Sequence, residues 1–198
     1  MQFRSIIVSC ALSMSLIAMA QAGADATKAP AAPATVTPAE AMDSALSLIE
    51  GEMMGAVKAM PADKYSFAPS ASIFVPAQTT EFKTVRTFGQ QVAHVAQANY
   101  FFFMTLSGLK PDVDVRAIGS LTGKDEAVAA LAGSFAFGHK AIATLTAANA
   151  FEVLKTPEPG VQTRLTFAGF AISHANDHYG QMIEYLRMNG LVPPASAR

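Results

Sequence analysis

The sequence predicts an all-α protein, a four-helix bundle with long inter-helix loops, and three observations carry that prediction. Four stretches repeat apolar residues at spacings of three and four, the pattern of a helix with one buried face. Start and stop signals bracket them: Thr37-Pro38 ahead of the first, Ser107-Gly108 after the second, Gly190 and Pro193-Pro194 after the last. No stretch alternates apolar and polar residues convincingly as a half-buried strand does, and 198 residues with 51% hydrophobic character suit one core rather than two.

Residues 1–20 read as a cleaved leader. Arg4 precedes an apolar run from Ser5 to Ala18 that closes on Ala18-Met19-Ala20, the small-x-small pattern of a signal-peptidase site. Ala20-Gln21-Ala22 has the same form, so cleavage after Ala22 is equally compatible. A membrane anchor is the competing reading, but the run falls short of the about 20 apolar residues that cross a bilayer. The leader predicts a periplasmic or secreted protein with no stable membrane span. Residues 21–36, with Ala29-Pro30-Ala31-Ala32-Pro33-Ala34, hold too few large apolar groups to offset the entropy of ordering and read as a flexible tether.

The bundle is expected over 37–194, with 195–198 a tail. Thr37-Pro38-Ala39-Glu40 places Thr at the N-cap, Pro at the first helical position and Glu where a capping box needs it. The first helix then runs to about Ala59 on a stripe of Ala41, Ala45, Leu48, Ile49, Met53 and Ala56, and Met60-Pro61 stops it. A long loop from Pro61 to Thr80 follows, with Tyr65, Phe67, Ile73, Phe74 and Val75 as its anchors. The second helix is expected from near Glu81 to Ser107 on Val85, Phe88, Val92, Val95, Asn99, Phe102 and Leu106. Pro111 and residues 112–120 interrupt the pattern. The third helix is expected from near Thr122–Asp125 to about Ala147, packing through Val128, Leu131, Phe135, Ile142 and Leu145. After Pro157-Glu158-Pro159-Gly160 the fourth runs from about Val161 to Asn189.

Composition narrows the chemistry. Cys10 is the only cysteine and lies in the leader, so the mature chain offers no disulfide, thiolate ligand or cysteine nucleophile. Removing the leader takes Arg4 and no acid, so 14 basic and 15 acidic residues become 13 and 15, a formal net charge of −2. Lys and Arg are scattered singly rather than clustered, which argues against a nucleic-acid partner.

Four histidines remain: His94, His139, His174 and His178. At about 100° per residue, His174 and His178 lie about 40° apart and one turn removed, so both rings can reach one point. With Phe167 as origin they stand in the core-facing stripe with Phe170, Ala171, Gln181, Met182, Tyr185 and Met188. Burying two imidazoles costs free energy unless their nitrogens find partners. A shared divalent metal solves this for both, since neutral imidazole suits such ions; separate hydrogen bonds to carbonyls, Gln181 or Tyr185 are the alternative. A third ligand has to come from another helix. His94, beside the second helix's seam and bordered by Gln90, Gln91 and Gln97, is preferred to His139, which follows Gly138 and reads as a partly exposed or hydrogen-bonded core residue. Asp177, Gln181 and Tyr185 are the candidate supports behind the ligands; for Asp177, about 80° from the stripe centre, facing solvent is the competing reading. Three imidazoles leave open positions for water or substrate, the arrangement of a reactive site.

The stretch Ser173-His174-Ala175-Asn176-Asp177-His178-Tyr179-Gly180-Gln181-Met182, with Tyr185-Leu186-Arg187 and Gly190-Leu191-Val192-Pro193-Pro194, resembles the last helix and exit of the DinB-like superfamily. Residues 60–69, from Met60-Pro61 to Ala68-Pro69, resemble the family's loop after its first helix, and Val92-Ala93-His94-Val95 its second-helix histidine. The likeness spans residues 38–194. It implies a four-helix bundle with a three-histidine divalent-metal site carried by His94, His174 and His178; despite the name, this is not the DNA polymerase family. Members include thiol transferases that use small cellular thiols and proteins described as metal-dependent hydrolases, and many have no assigned reaction. The leader departs from the cytoplasmic thiol-dependent members.

Two functions therefore stand side by side. One is an exported metal-dependent hydrolase or transferase of a small molecule, with zinc, nickel, iron or manganese as the ion. The other is a non-catalytic bundle that binds a metal, a ligand or a partner. No carboxylate or hydroxyl stands out as a general base. Phe101, Phe102 and Phe103 cannot all face one core, so one of them meets another element, with the long loop and a second subunit of a homodimer as the competing partners.

Overall fold

A computed structural model describes residues 35–71, 82–157, 160 and 162–197. The expected leader, the tether up to Ala34, the loop anchors Ile73, Phe74 and Val75, and the expected helix starts at Glu81 and Val161 lie outside the described residues. Among the described residues the protein is helical, with four long helices and one short one: α1 (Pro38–Ala59), α2 (Phe88–Ser107), α3 (Val115–Ile118), α4 (Lys124–Ile142) and α5 (Arg164–Met188). In cross-section α2 packs on α4 and α5, and α1 packs on the same two, so α1 faces α2 across one diagonal and α4 faces α5 across the other.

Local chemistry fixes the helix starts. Thr37 and Glu40 close a capping box on α1, with Glu40 N–H to Thr37 Oγ1 at 3.2 Å and Thr37 N–H to Glu40 Oε2 at 2.7 Å. The buried stripe of α1 is Leu46, Ile49, Met53, Ala56 and Val57. Leu46 replaces the expected Leu48, which is 67% exposed. The register explains this: Leu46 lies three residues before Ile49 and seven before Met53, whereas Leu48 projects about 100° away from Ile49. At the other end, Lys124 Nζ donates to the carbonyls of Lys58 and Met60 at 2.9 and 2.8 Å, placing a cation where α1 exposes its last acceptors.

The second helix begins at Phe88, seven residues after the expected start. Val85 N–H instead closes a turn on the Phe82 carbonyl at 3.1 Å. Thr87 then caps α2 in a second capping box with Gln90. The next two backbone donors go to the preceding loop, Phe88 N–H to the Phe67 carbonyl and Gly89 N–H to the Tyr65 carbonyl, both at 2.8 Å. Tyr65 is buried and donates its hydroxyl to the Val57 carbonyl at 2.7 Å, and the Phe67 ring sits edge-on to Tyr185. These bonds anchor the described part of the long loop and orient α2.

Two further boundaries differ from expectation. The third expected helix, α4, ends at Ile142 rather than Ala147, because Thr144 donates to the Ala141 carbonyl and Thr146 and Asn149 exchange side-chain bonds with each other's backbone. Between α4 and α5, Val153–Leu154 and Gln162–Thr163 form an antiparallel pair, β1 and β2, too short to show an alternating pattern. The phenylalanine run divides three ways: Phe103 is fully buried, Phe102 meets rings of α5, and Phe101 is 44% exposed. Met188, expected in the core stripe, is 45% exposed because it ends the last turn of α5.

Candidate metal centre

Three histidines meet where α2 packs on α5. His94 stands midway along α2, next to the buried Val95; His174 and His178 stand one turn apart on α5. The ring centroids are 5.2 Å apart for His94 and His174, 4.7 Å for His94 and His178, and 4.6 Å for His174 and His178. One ring nitrogen from each lies within 4.8 Å of the others. His139 is elsewhere: on α4 it bridges Asp43 and Glu50 of α1, with Nδ1 2.5 Å from Asp43 Oδ1 and Nε2 2.9 Å from Glu50 Oε2.

Surroundings keep two of the three rings neutral. His94 is pushed down to about 4, by burial first and then by the charge of Arg86 and its neighbour His174. His178, 6% exposed, is likewise pushed down to about 4 by burial and then by the other two histidines, with Asp177 opposing. Neutral imidazoles keep a lone pair, and a divalent ion binds that form. The donor set therefore fits a metal. On one side the cluster is walled by aromatic rings: Phe102 lies edge-on to His174 at 5.2 Å and packs against Phe167 and Phe170, which stack on each other.

A chain of side-chain hydrogen bonds decides which nitrogen His178 presents. Gln181 Nε2 donates to Asp177 Oδ2 at 2.9 Å, a turn apart on α5. Gln181 Oε1 then accepts from Gln91 Nε2 at 2.7 Å, and Gln91 Oε1 lies 2.6 Å from His178 Nδ1. An ionised carboxylate only accepts, so the direction of both amides follows from Asp177. His178 Nδ1 must carry the proton, which leaves the Nε2 lone pair available.

Each supporting residue of the sequence reading thus has a definite place. Asp177 is exposed and closes the hydrogen-bond chain; Gln181 is its middle link. Tyr185 is buried and donates its hydroxyl to the Arg86 carbonyl at 3.0 Å. A cleft of about 700 Å³ opens beside His94, with Lys83, Thr84, Arg86, Gln90 and Gln97 among its lining.

Two residues at this site escaped the sequence reading. Gln91 appeared only as part of a polar border, although its place three residues before His94 puts both on one face of α2. Arg86 gave no signal at all. It fell inside the expected helix, and only the late start of α2 brings it to the cleft.

A family model described as the DinB superfamily matches residues 45–182. Among solved structures, the chain is similar to a DinB-like protein from Bacillus cereus ATCC 10987, at 15% identity and a TM-score of 0.63. That match covers 78% of this chain and 95% of the other. No curated protein matches the chain.

Proposed function

This chain belongs to the DinB superfamily, and from that premise we propose that it is an exported metal-dependent hydrolase or transferase acting on a small molecule, with His94, His174 and His178 holding one divalent ion. The observation that carries the proposal is the convergence of three imidazoles from two helices, one nitrogen of each within 4.8 Å of the others. When bound, an ion with three such ligands and open positions supplies Lewis acidity to a substrate atom or to water. The chain's own contributions are separate from that. Gln91 holds the His178 ring in one tautomer, the Phe102 block excludes water from one side, and the cleft beside His94 admits the substrate from the other. Zinc, nickel, iron and manganese all suit this donor set.

One observation favours a second reading. Among the described residues no Asp or Glu lines the cleft, so none of these offers a carboxylate there as a general base. A bundle that binds a metal or ligand without turning it over fits that lining.

The test is elemental analysis of the untagged protein beside His94→Ala, His174→Ala and His178→Ala. Near-stoichiometric metal in the native protein, lost from all three folded variants, is expected; retention in any of them removes that residue from the ligand set. Metal-dependent turnover of ester, amide or thiol-reactive probes then separates the enzyme from the binding module. Intact mass of the same preparation reads the leader, since a chain starting after Ala20 or Ala22 supports export and an unprocessed Met1 opposes it.

A further inference from the structure

We propose that the cavity between α2, α4 and the connection from α2 to α3 is a second ligand site, which takes a small carboxylic acid with an apolar body and anchors it at the Tyr100 hydroxyl. The site is independent of the histidine cluster. Tyr100 follows His94 by six residues, about 120° round the helix axis and about 9 Å along it. Its ring packs on Phe137 of α4, with centroids 5.3 Å apart.

The anchor is the first argument. Tyr100 is 5% exposed, yet its hydroxyl has no hydrogen-bond partner among the described residues. Buried tyrosines normally find one, as Tyr65 and Tyr185 do with the carbonyls of Val57 and Arg86. The Tyr100 oxygen stands over Gly133 of α4, where a Cβ would come within 2.9 Å of it. Both residues line a cavity of about 370 Å³, far larger than one water needs and within the range of small-molecule pockets. Burial raises the Tyr100 pKa above its ordinary 10.0, so the hydroxyl keeps its proton and can donate it.

Walls and charge are the second. Gly133, Phe137 and Lys140 follow one another at spacings of four and three, which sets them on one face of α4. From the connection, Leu109 and Val113 add exposed apolar side chains to the same cavity. That connection is fixed at both ends: Gly108 ends α2 in the left-handed conformation, φ 75°, and Asp114 caps α3 with bonds from the Arg116 and Ala117 N–H groups. The charged lining is Lys110, Lys140 and Asp112, two ammoniums to one carboxylate. An apolar slot with a hydroxyl donor inside and a surplus of positive charge at its exposed edge matches an aromatic or branched aliphatic acid. Its body lies against Phe137, Leu109 and Val113, and its carboxylate accepts from Tyr100 and a lysine.

The experiment titrates the full protein, isotope-labelled at tyrosine Cζ and backbone nitrogen, with sodium benzoate and separately with benzyl alcohol and with acetate at constant ionic strength. NMR follows the Tyr100 Cζ and the Gly133 amide; the chain has four tyrosines, and Tyr100→Phe assigns the signal. Saturable shifts with benzoate are expected at both positions, with affinity about ten-fold weaker for benzyl alcohol, which lacks the charge, and for acetate, which lacks the apolar body. Tyr100→Phe removes only an unpartnered oxygen, so it should fold with stability unchanged or raised while its affinity for benzoate, read at Gly133, falls about ten-fold. Gly133→Ala improves helix propensity and puts a methyl against the hydroxyl, and should weaken binding as well. No saturable shift with benzoate, or native affinity in folded Tyr100→Phe, overturns the site. Equal affinity for either companion probe overturns the assignment of a carboxylate on an apolar body. The shifts should persist in His174→Ala; their loss there would place the acid at the histidine cluster and overturn the proposal too.

Discussion

Gln91 is 2% exposed and uses both ends of its amide, one toward His178 and the other toward Gln181. Replacing it with Leu keeps the volume and strands two polar partners. Stability should fall by about 1–3 kcal/mol, and metal affinity by about 10–100-fold, as for other residues that orient a ligand from behind. Chelator competition on the folded variant checks this, and native affinity there would remove the orienting role. His139 gives the pH prediction. Burial, the largest single influence, lowers its pKa, but hydrogen bonds and charge from Asp43 and Glu50 together outweigh burial and raise it above the ordinary 6.5. The folded state therefore prefers imidazolium more than the unfolded state does. The stabilisation is fully present below about pH 6.5 and fades as pH rises through the raised folded value. Denaturant unfolding of native and His139→Gln proteins should show a gap that is widest at pH 6 and narrows on going alkaline; a gap independent of pH contradicts the imidazolium clamp.

Between helices, a missing side chain on α4 makes room for residues of α2 and α1. A Cβ at Gly138 would lie 2.6 Å from Cε2 of Phe103 and 3.1 Å from Cδ2 of Leu46, both residues of the sealed core. Alanine improves helix propensity by about 1 kcal/mol, but the overpacking here is expected to cost more. Gly138→Ala should lower stability by about 1–3 kcal/mol net, read from the shift in denaturation midpoint at constant m-value. A stabilised variant would mean that α2 and α4 can separate without penalty.

For the whole molecule, the proposed ion would join α2 to α5, helices whose centres lie some 80 residues apart in sequence. Binding only the folded state adds stability as RT ln(1 + [L]/Kd), about 2.7 kcal/mol at a hundredfold excess over Kd. Metal addition to chelated protein should raise the melting temperature. The rise should vanish in His174→Ala, and an equal rise in that variant would place the metal elsewhere.

What the sequence determined by itself is whatever depends on residues within a turn or two of each other. The capping box at Thr37 and Glu40, the end of α2 at Ser107-Gly108, and the shared face of His174 and His178 follow from bonds and angles spanning four residues or fewer. The all-α bundle follows from the same periodicity, summed over four stretches. Tertiary structure decided the rest. Leu46 and Leu48 are chemically alike, and only the packing of α1 on α4 and α5 selects between them. The Thr87–Gln90 capping box that starts α2 is local, but only the bonds of Phe88 and Gly89 to the Phe67 and Tyr65 carbonyls set that start against the earlier loop, with Arg86 outside the helix and beside a cleft. Gln91 and Gln181 lie 90 residues apart, so their bond is invisible to any local pattern. The physical reason is one of range: backbone sterics and capping act along the chain, whereas a binding site is made where helices distant in sequence are pressed together by burial.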